Sequence, residues 1–239
     1  MVTTVPAKPL GQKAYGHIPH LPGSRMTPAD KHCHEGQARI CTEKPRDKYD
    51  RIIVQEKLDG ACVAVANIDG TILALGRAGY LATSSPFEQH HLFAQWVADN
   101  EARFLEVLRP GERLVGEWIA QAHGTRYALS HEPFVAFDLM REVTRTPYEG
   151  FIQRIAERFV TPRVIHTGGP IAIDAVVAHL EPSGHGALDA VEGAVWRVER
   201  QGRVDFLAKW VRPDKVDGSY LPEISNREPV WNWHPQVVA

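Results

Sequence analysis

The chain has 239 residues, 44% hydrophobic and 23% charged, with 27 Lys and Arg against 29 Asp and Glu for a net charge of −2. This composition supports a folded core and excludes both a disordered chain and a generally basic nucleic-acid coat protein, while leaving room for a local basic groove. No stretch approaches the roughly 20 apolar residues of a membrane span, no secretory apolar core opens the chain, and the three cysteines Cys33, Cys41 and Cys62 suit a reducing cytosol, so no membrane partner and a cytoplasmic location are expected.

Residues 1–50 carry six of the 17 prolines, Pro6, Pro9, Pro19, Pro22, Pro28 and Pro45, and read as an irregular lead-in packed on the core, since proline removes donors and ends helices. His32, Cys33, His34 and Cys41 could suggest zinc, but no second ligand pair follows at finger-like spacing, and no metal is expected there. From residue 51 the pattern alternates. Arg51–Lys57 and Ala61–Asn67 are strand-like, and Asp69-Gly70 turns the chain into a third strand over Thr71–Gly76. Phe93, Trp96, Val97, Phe104 and Leu108 recur at three- and four-residue steps, predicting one helix over Pro86–Leu108 that Pro110-Gly111 stops. Strands are expected at Arg113–Ala120 and Pro133–Met140, and helices at Glu149–Phe159 and Ala172–Leu180. A closing hairpin, Gly193–Glu199 and Arg203–Trp210, turns at Gln201-Gly202. Hairpins separated by helices imply an antiparallel-rich α+β fold, not a parallel doubly wound sheet.

The phosphate loop, the dinucleotide glycine motif, His-Glu-x-x-His and Gly-x-Ser-x-Gly are all absent from the sequence. The sharpest local feature is Glu56-Lys57-Leu58-Asp59-Gly60, at the seam between two apolar strands. A lysine held there partly desolvated can serve as a nucleophile. Gly60 lets backbone approach a ligand, and Asp59 can orient the ammonium or bind a metal-bound water. Further along come Gly116-Glu117-Trp118, Phe134-Val-Ala-Phe137-Asp138, Glu192-Gly-Ala-Val195 and Ala208-Lys209-Trp210, each on or beside a predicted strand.

In that order the set resembles the covalent nucleotidyltransferase superfamily of ATP-dependent DNA ligases, RNA ligases and mRNA capping enzymes. Within it the chain looks most like RNA ligases, as His20-Leu-Pro-Gly-Ser24 and Lys209-Trp-Val-Arg-Pro-Asp214 also do. The resemblance implies an antiparallel-rich nucleotidyltransferase (ATP-grasp-like ligase) core over 51–215. With only the short tail at 216–239 to follow, no appended OB-fold is expected. It implies ATP as cofactor with Mg²⁺ (or Mn²⁺), and a lysyl-adenylate on Lys57 that passes AMP to an RNA 5′-phosphate before sealing to a 3′-hydroxyl, a chemistry of RNA repair. By the same resemblance Glu192 would hold the metal, with Asp59 as a second carboxylate, and Lys209 would neutralise the α-phosphate. Glu117 would bind the ribose hydroxyls, Phe137 and Val195 the two faces of adenine, and Arg77 the ribose or substrate, with Glu56 also among the ATP-contacting residues. The family's last motif has two lysines separated by one residue. Here only Lys209 is present, with Arg212 as candidate for the second phosphate contact. Two basic clusters, Lys44, Arg46, Lys48 and Arg51, and Arg197, Arg200, Arg203, Lys209, Arg212 and Lys215, are candidates for RNA phosphates. The rival readings are a DNA ligase, a capping-type guanylyltransferase, and a non-catalytic nucleic-acid end-binding module with the same fold.

Overall fold

A computed structural model describes residues 8–235; Pro6 and the rest of residues 1–7 of the lead-in, and residues 236–239 of the tail, lie outside the described residues. The chain divides into two units, one formed by the described residues up to 16 with 61–118 and 134–160, the other by 17–60, 119–133 and the described residues from 161 on. Among the described residues no helix is long and apolar enough to cross a membrane.

The second unit is built on a four-stranded sheet of β1 (Asp50–Lys57), β7 (Val164–Gly168), β8 (Gly193–Arg200) and β9 (Arg203–Val211), in the order β7-β1-β8-β9. All its strand pairs are antiparallel. Alternation sorts its residues by face. Ile52, Val54, Ala194, Trp196, Val198, Ala208 and Trp210 form one apolar core with Leu21, Ala38, Cys41, Val176 and Leu180. Ala38 and Cys41 come from helix α1 (Glu35–Thr42), a regular element within the lead-in that the sequence reading does not contain. Helix α5 (Ile173–Val177) supplies Val176 and is shorter than the expected 172–180. Residues 19–25 run beside β9: Pro19 O accepts from Lys209 N–H at 2.9 Å, and Lys209 O from Leu21 N–H at 2.8 Å. The lead-in thus covers an edge that would otherwise offer unpaired backbone groups.

The first unit holds a five-stranded sheet, β3-β2-β4-β5-β6, from β2 (Ala61–Ile68), β3 (Thr71–Gly76), β4 (Glu112–Trp118), β5 (Phe134–Arg141) and β6 (Thr144–Arg145), again antiparallel throughout. The expected helix over 86–108 is two helices, α2 (Glu88–Asp99) and α3 (Glu101–Val107). Asn100 separates them: its ψ of 16° leaves the helical well, and its side-chain Nδ2 donates to Trp96 O at 2.8 Å. The apolar stripe survives the break, because the rings of Phe93, Trp96 and Phe104 still pack against those of Trp118 and Phe134 of the sheet. Helix α4 (Tyr148–Ile155) ends short of the expected Phe159.

β1 is anchored at its first residue. The Asp50 carboxylate accepts from Arg46 N–H and Nη2 at 2.7 Å and from Arg200 Nη1 at 3.1 Å. Burial alone would raise its pKa, but the Arg46 and Arg200 hydrogen bonds outweigh burial and hold the group at about 2. A carboxylate depressed from its unfolded value near 4 contributes stability above that pH and loses it as pH falls through about 2, a contribution on the order of 2 kcal/mol. Urea titrations between pH 6 and pH 2 should therefore show a loss of midpoint that Asp50→Asn flattens. An equal pH dependence in the variant would assign the loss to other groups.

Candidate active site

Lys57 ends β1, and its Cα partner is Gly193, the first residue of β8. Along β8, Val195 lies two residues on and opposes Lys209 of β9. Directly opposed residues, and residues two apart on a strand, share a face, so Lys57, Val195 and Lys209 stand together on the face opposite the apolar core. Each is half-buried between buried neighbours. A glycine is required opposite Lys57, because a Cβ on Gly193 would overlap the Trp210 carbonyl oxygen, which is backbone and cannot swing aside. Gly193→Ala is expected to cost about 1–3 kcal/mol, lowering Tm by several degrees in thermal unfolding; an unchanged Tm would show that the strand pair yields without strain.

Glu192 immediately precedes Gly193 and is 7% exposed. Lys57 Nζ donates to Glu192 Oε2 at 2.6 Å and to Leu58 O at 3.2 Å. Burial, the largest influence, pushes the Glu192 carboxyl up to about 7; the Lys57 charge opposes this and Asp59 adds to it. Asp59 is itself held by several groups. Its N–H donates to the Tyr127 hydroxyl at 3.0 Å, and its Oδ2 accepts from Gly124 N–H at 2.8 Å and lies 2.7 Å from Lys215 Nζ.

Lys209 faces a carboxylate from the lead-in. Its Nζ stands 3.7 Å from Asp30 Oδ1, which is also 3.2 Å from His20 Nε2. Asp30 Oδ2 accepts from the Thr27 backbone N–H at 2.9 Å and hydroxyl at 2.7 Å. Burial works against ionisation of Asp30, yet the Thr27 bonds with the Lys209 and His20 charges hold it well below the usual carboxylate range. Burial, then the charge of Lys209, lowers the pKa of His20. His20 Nδ1 lies 2.7 Å from Ser24 Oγ, which accepts from Val211 N–H at 2.9 Å. Sequence reading leaves Asp30 and His20 without a role; the Thr27-x-x-Asp30 spacing, typical of a side-chain-closed turn, is the local signal.

Several expected ligand residues have other tasks. Glu56 lies on the opposite face of β1 from Lys57, 2% exposed, and accepts from Ser183 Oγ at 2.5 Å, Gly184 N–H at 2.8 Å and Arg163 Nε at 3.2 Å. Arg212 pairs with Asp214 at 2.7 Å. Of the basic clusters, Arg46 and Arg200 are bound into the Asp50 network, joined by Asp205 and Asp47, and Lys215 is buried. Paired and buried cations of this kind are structural before they are available to phosphate.

The other three candidates lie in the first unit. Glu117 is half-buried on β4, opposite Cys62 and Val135. The preceding Gly116 is required because a Cβ there would stand 2.5 Å from the Phe134 ring and 2.7 Å from Val135 O. Val115 pairs with Asp138 and Gly116 with Ala136, so Phe137 is the extra residue of a β-bulge, a device that re-aims a side chain. Its ring meets that of Tyr15 edge-on at 5.2 Å, and the Tyr15 hydroxyl donates to buried Asp138 at 2.6 Å. Arg77 donates from Nη2 to Gly16 O at 2.9 Å.

Among the described residues no group of three or more His, Cys, Asp or Glu could hold a metal. The carboxylates beside Lys57 are Glu192 and Asp59, a donor set that suits a divalent ion held through its own waters, as Mg²⁺ prefers.

A family model described as RNA ligase matches residues 50–211. Among solved structures, Naegleria gruberi RNA ligase with PPi aligns at a TM-score of 0.53 and 19% identity, over 87% of this chain and 62% of that chain. The apo form of a mutant of the same ligase aligns at 0.52 and 17%, over 87% of this chain and 61% of that one. At such identities the likeness is one of fold, and this chain spans less than two thirds of those proteins. No match is found among curated proteins.

Proposed function

The chain belongs to the RNA ligase family, and from that membership we propose that it joins RNA ends with ATP through a lysyl-adenylate on Lys57. The observation that carries this reading is the 2.6 Å contact between the Lys57 amine and a buried carboxylate, at the end of the sheet face that also presents Lys209. An amine attacking the α-phosphorus of ATP must lose a proton, form a P–N bond and release pyrophosphate. Glu192 Oε2 is the atom placed to take that proton, and its elevated pKa strengthens it as a base. Lys209, whose Nζ stands 3.7 Å from Asp30 Oδ1, supplies positive charge for the α-phosphate. A divalent ion held by Glu192 and Asp59 through water would neutralise phosphate charge.

Glu117, Phe137 and Arg77 are proposed to take the ribose hydroxyls, one adenine face and the ribose or substrate, with Val195 on the other adenine face. Two displacements complete the reaction. The 5′-phosphate of RNA displaces Lys57 from the AMP phosphorus, and the 3′-hydroxyl then displaces AMP to make the phosphodiester.

The test is incubation with α-labelled ATP or GTP and Mg²⁺ or Mn²⁺, followed by nicked or single-stranded RNA and DNA. Label from ATP and sealing of RNA are expected. Label from GTP alone would indicate capping chemistry, and sealing confined to DNA a DNA ligase. Absence of label on deadenylated protein would leave an end-binding module. The single lysine of the last motif, Lys209, flanked two positions away by Leu207 and Val211, is the feature that favours that last reading.

A further inference from the structure

Lys215 lies four residues beyond the end of β9 and outside residues 50–211 that the family model matches. It is 7% exposed, unusual for a lysine. Its Nζ stands 2.7 Å from Asp59 Oδ2 and donates to Thr125 Oγ1. Gly124 completes the enclosure: a Cβ there would stand 2.9 Å from Asp59 Oδ2 and 3.0 Å from Lys215 Cε. Through Asp59 the cation is tied to the turn Leu58–Gly60, which begins one residue after the nucleophile. That turn supplies the Leu58 carbonyl that accepts from Lys57 Nζ.

We propose that Lys215 is a positioning residue for adenylation: by holding Asp59 it fixes the turn after Lys57, and with it the line along which the Lys57 amine meets the α-phosphate. This rests on the reading of Lys57 as nucleophile. It also gives a place to a cation that β9 lacks. With Lys209 flanked two positions away by Leu207 and Val211, this further positive charge comes from the segment that follows the strand, on the Asp59 side of Lys57. Lys215 is too enclosed to be an RNA-facing charge. A buried ion pair of this kind serves geometry better than net stability.

The test follows the initial rate of Lys57 labelling by α-labelled ATP in wild type, Lys215→Met, Lys215→Arg, Asp59→Asn and the double variant Asp59→Asn/Lys215→Met, with the Tm of each. Lys215→Met is expected to slow labelling about ten- to a hundredfold through kcat, as a displaced reacting group does, with the KM for ATP changed less than about threefold on the same ground. Lys215→Arg, which keeps the charge, should recover part of the loss. In the Asp59→Asn background the Lys215 change should have little further effect on rate, and the two substitutions should be non-additive in Tm. A Lys215→Met protein that labels at the wild-type rate overturns the inference, as does a loss of equal size with and without Asp59. Where Lys215→Met does not fold, Asp59→Asn and the double variant, which carries no unpaired lysine charge, answer the same question. Equal rates support the inference, and a further fall of about tenfold or more overturns it. Wild-type protein that takes no label overturns the adenylation reading itself, and this inference with it.

Discussion

Lys57→Met is expected to take no label from α-labelled ATP while remaining folded. The loss of chemistry is total, because Lys57 is the amine that forms the P–N bond. Retention of the fold follows from the electrostatics of its partner. The Lys57 charge is what draws the Glu192 pKa downward against burial. Without it the carboxyl moves up from about 7 and is neutral at pH 7, so no bare charge is left buried. The methionine stem occupies the volume of the lysine stem beside Leu58. A thermal scan should show one cooperative transition within a few degrees of wild type, alongside an empty autoradiograph. Label retained in the variant would remove Lys57 from the chemistry. A collapsed transition would show that the pair with Glu192 is needed to hold the strand ends together.

Glu192→Gln is expected to have the second largest effect. The amide keeps the shape and an oxygen facing Lys57 Nζ, but it can neither take the ammonium proton nor hold a hydrated cation. Loss of general-base action alone corresponds to about a hundredfold or more in rate. The pH profile separates this from simple mispositioning. In wild type, burial places the Glu192 pKa at about 7, and the ionised form is the active one. The labelling rate should therefore climb as pH rises through that value. In Glu192→Gln the part of the rise centred there should be missing, while any rise at higher pH remains. A variant with the same profile near pH 7, or with the wild-type rate, would assign Glu192 no part in proton transfer.

The sheets are legible in the sequence where β-branched runs meet turn residues. Both Asp69-Gly70 and Gln201-Gly202 adopt positive φ at both positions, 51° and 90°, then 49° and 73°, as two-residue hairpins demand. The strands they join fall within a residue or two of expectation. Short or polar strands escape such reading: Val164–Gly168 and Thr144–Arg145 have no alternation to find. The single helix expected over 86–108 fails for a local reason, since the apolar period continues through Asn100 although the backbone does not. At the candidate site, the ordered motifs lead to Lys57, Glu192 and Lys209 because each lies on or beside a strand the sequence already marks: Lys57 ends β1, Glu192 precedes β8 and Lys209 lies within β9. The groups that hold these residues are legible only in three dimensions. Asp30 reaches Lys209 from the proline-rich lead-in, and Lys215 reaches Asp59 across more than 150 residues of chain. Lys215 illustrates the limit well. In sequence it belongs to a run of basic residues that suits RNA, and only its burial and its carboxylate partner show a different task.

The most direct measurement is to adenylate the protein with α-labelled ATP, digest it, identify the labelled peptide, and chase an intact sample with 5′-phosphorylated RNA. The expected result is label on Lys57 alone, moving to the RNA 5′ end on addition of the RNA. Label on another residue, or label on Lys57 that never leaves for RNA, would contradict the assignment of this chain as an RNA-joining adenylyltransferase.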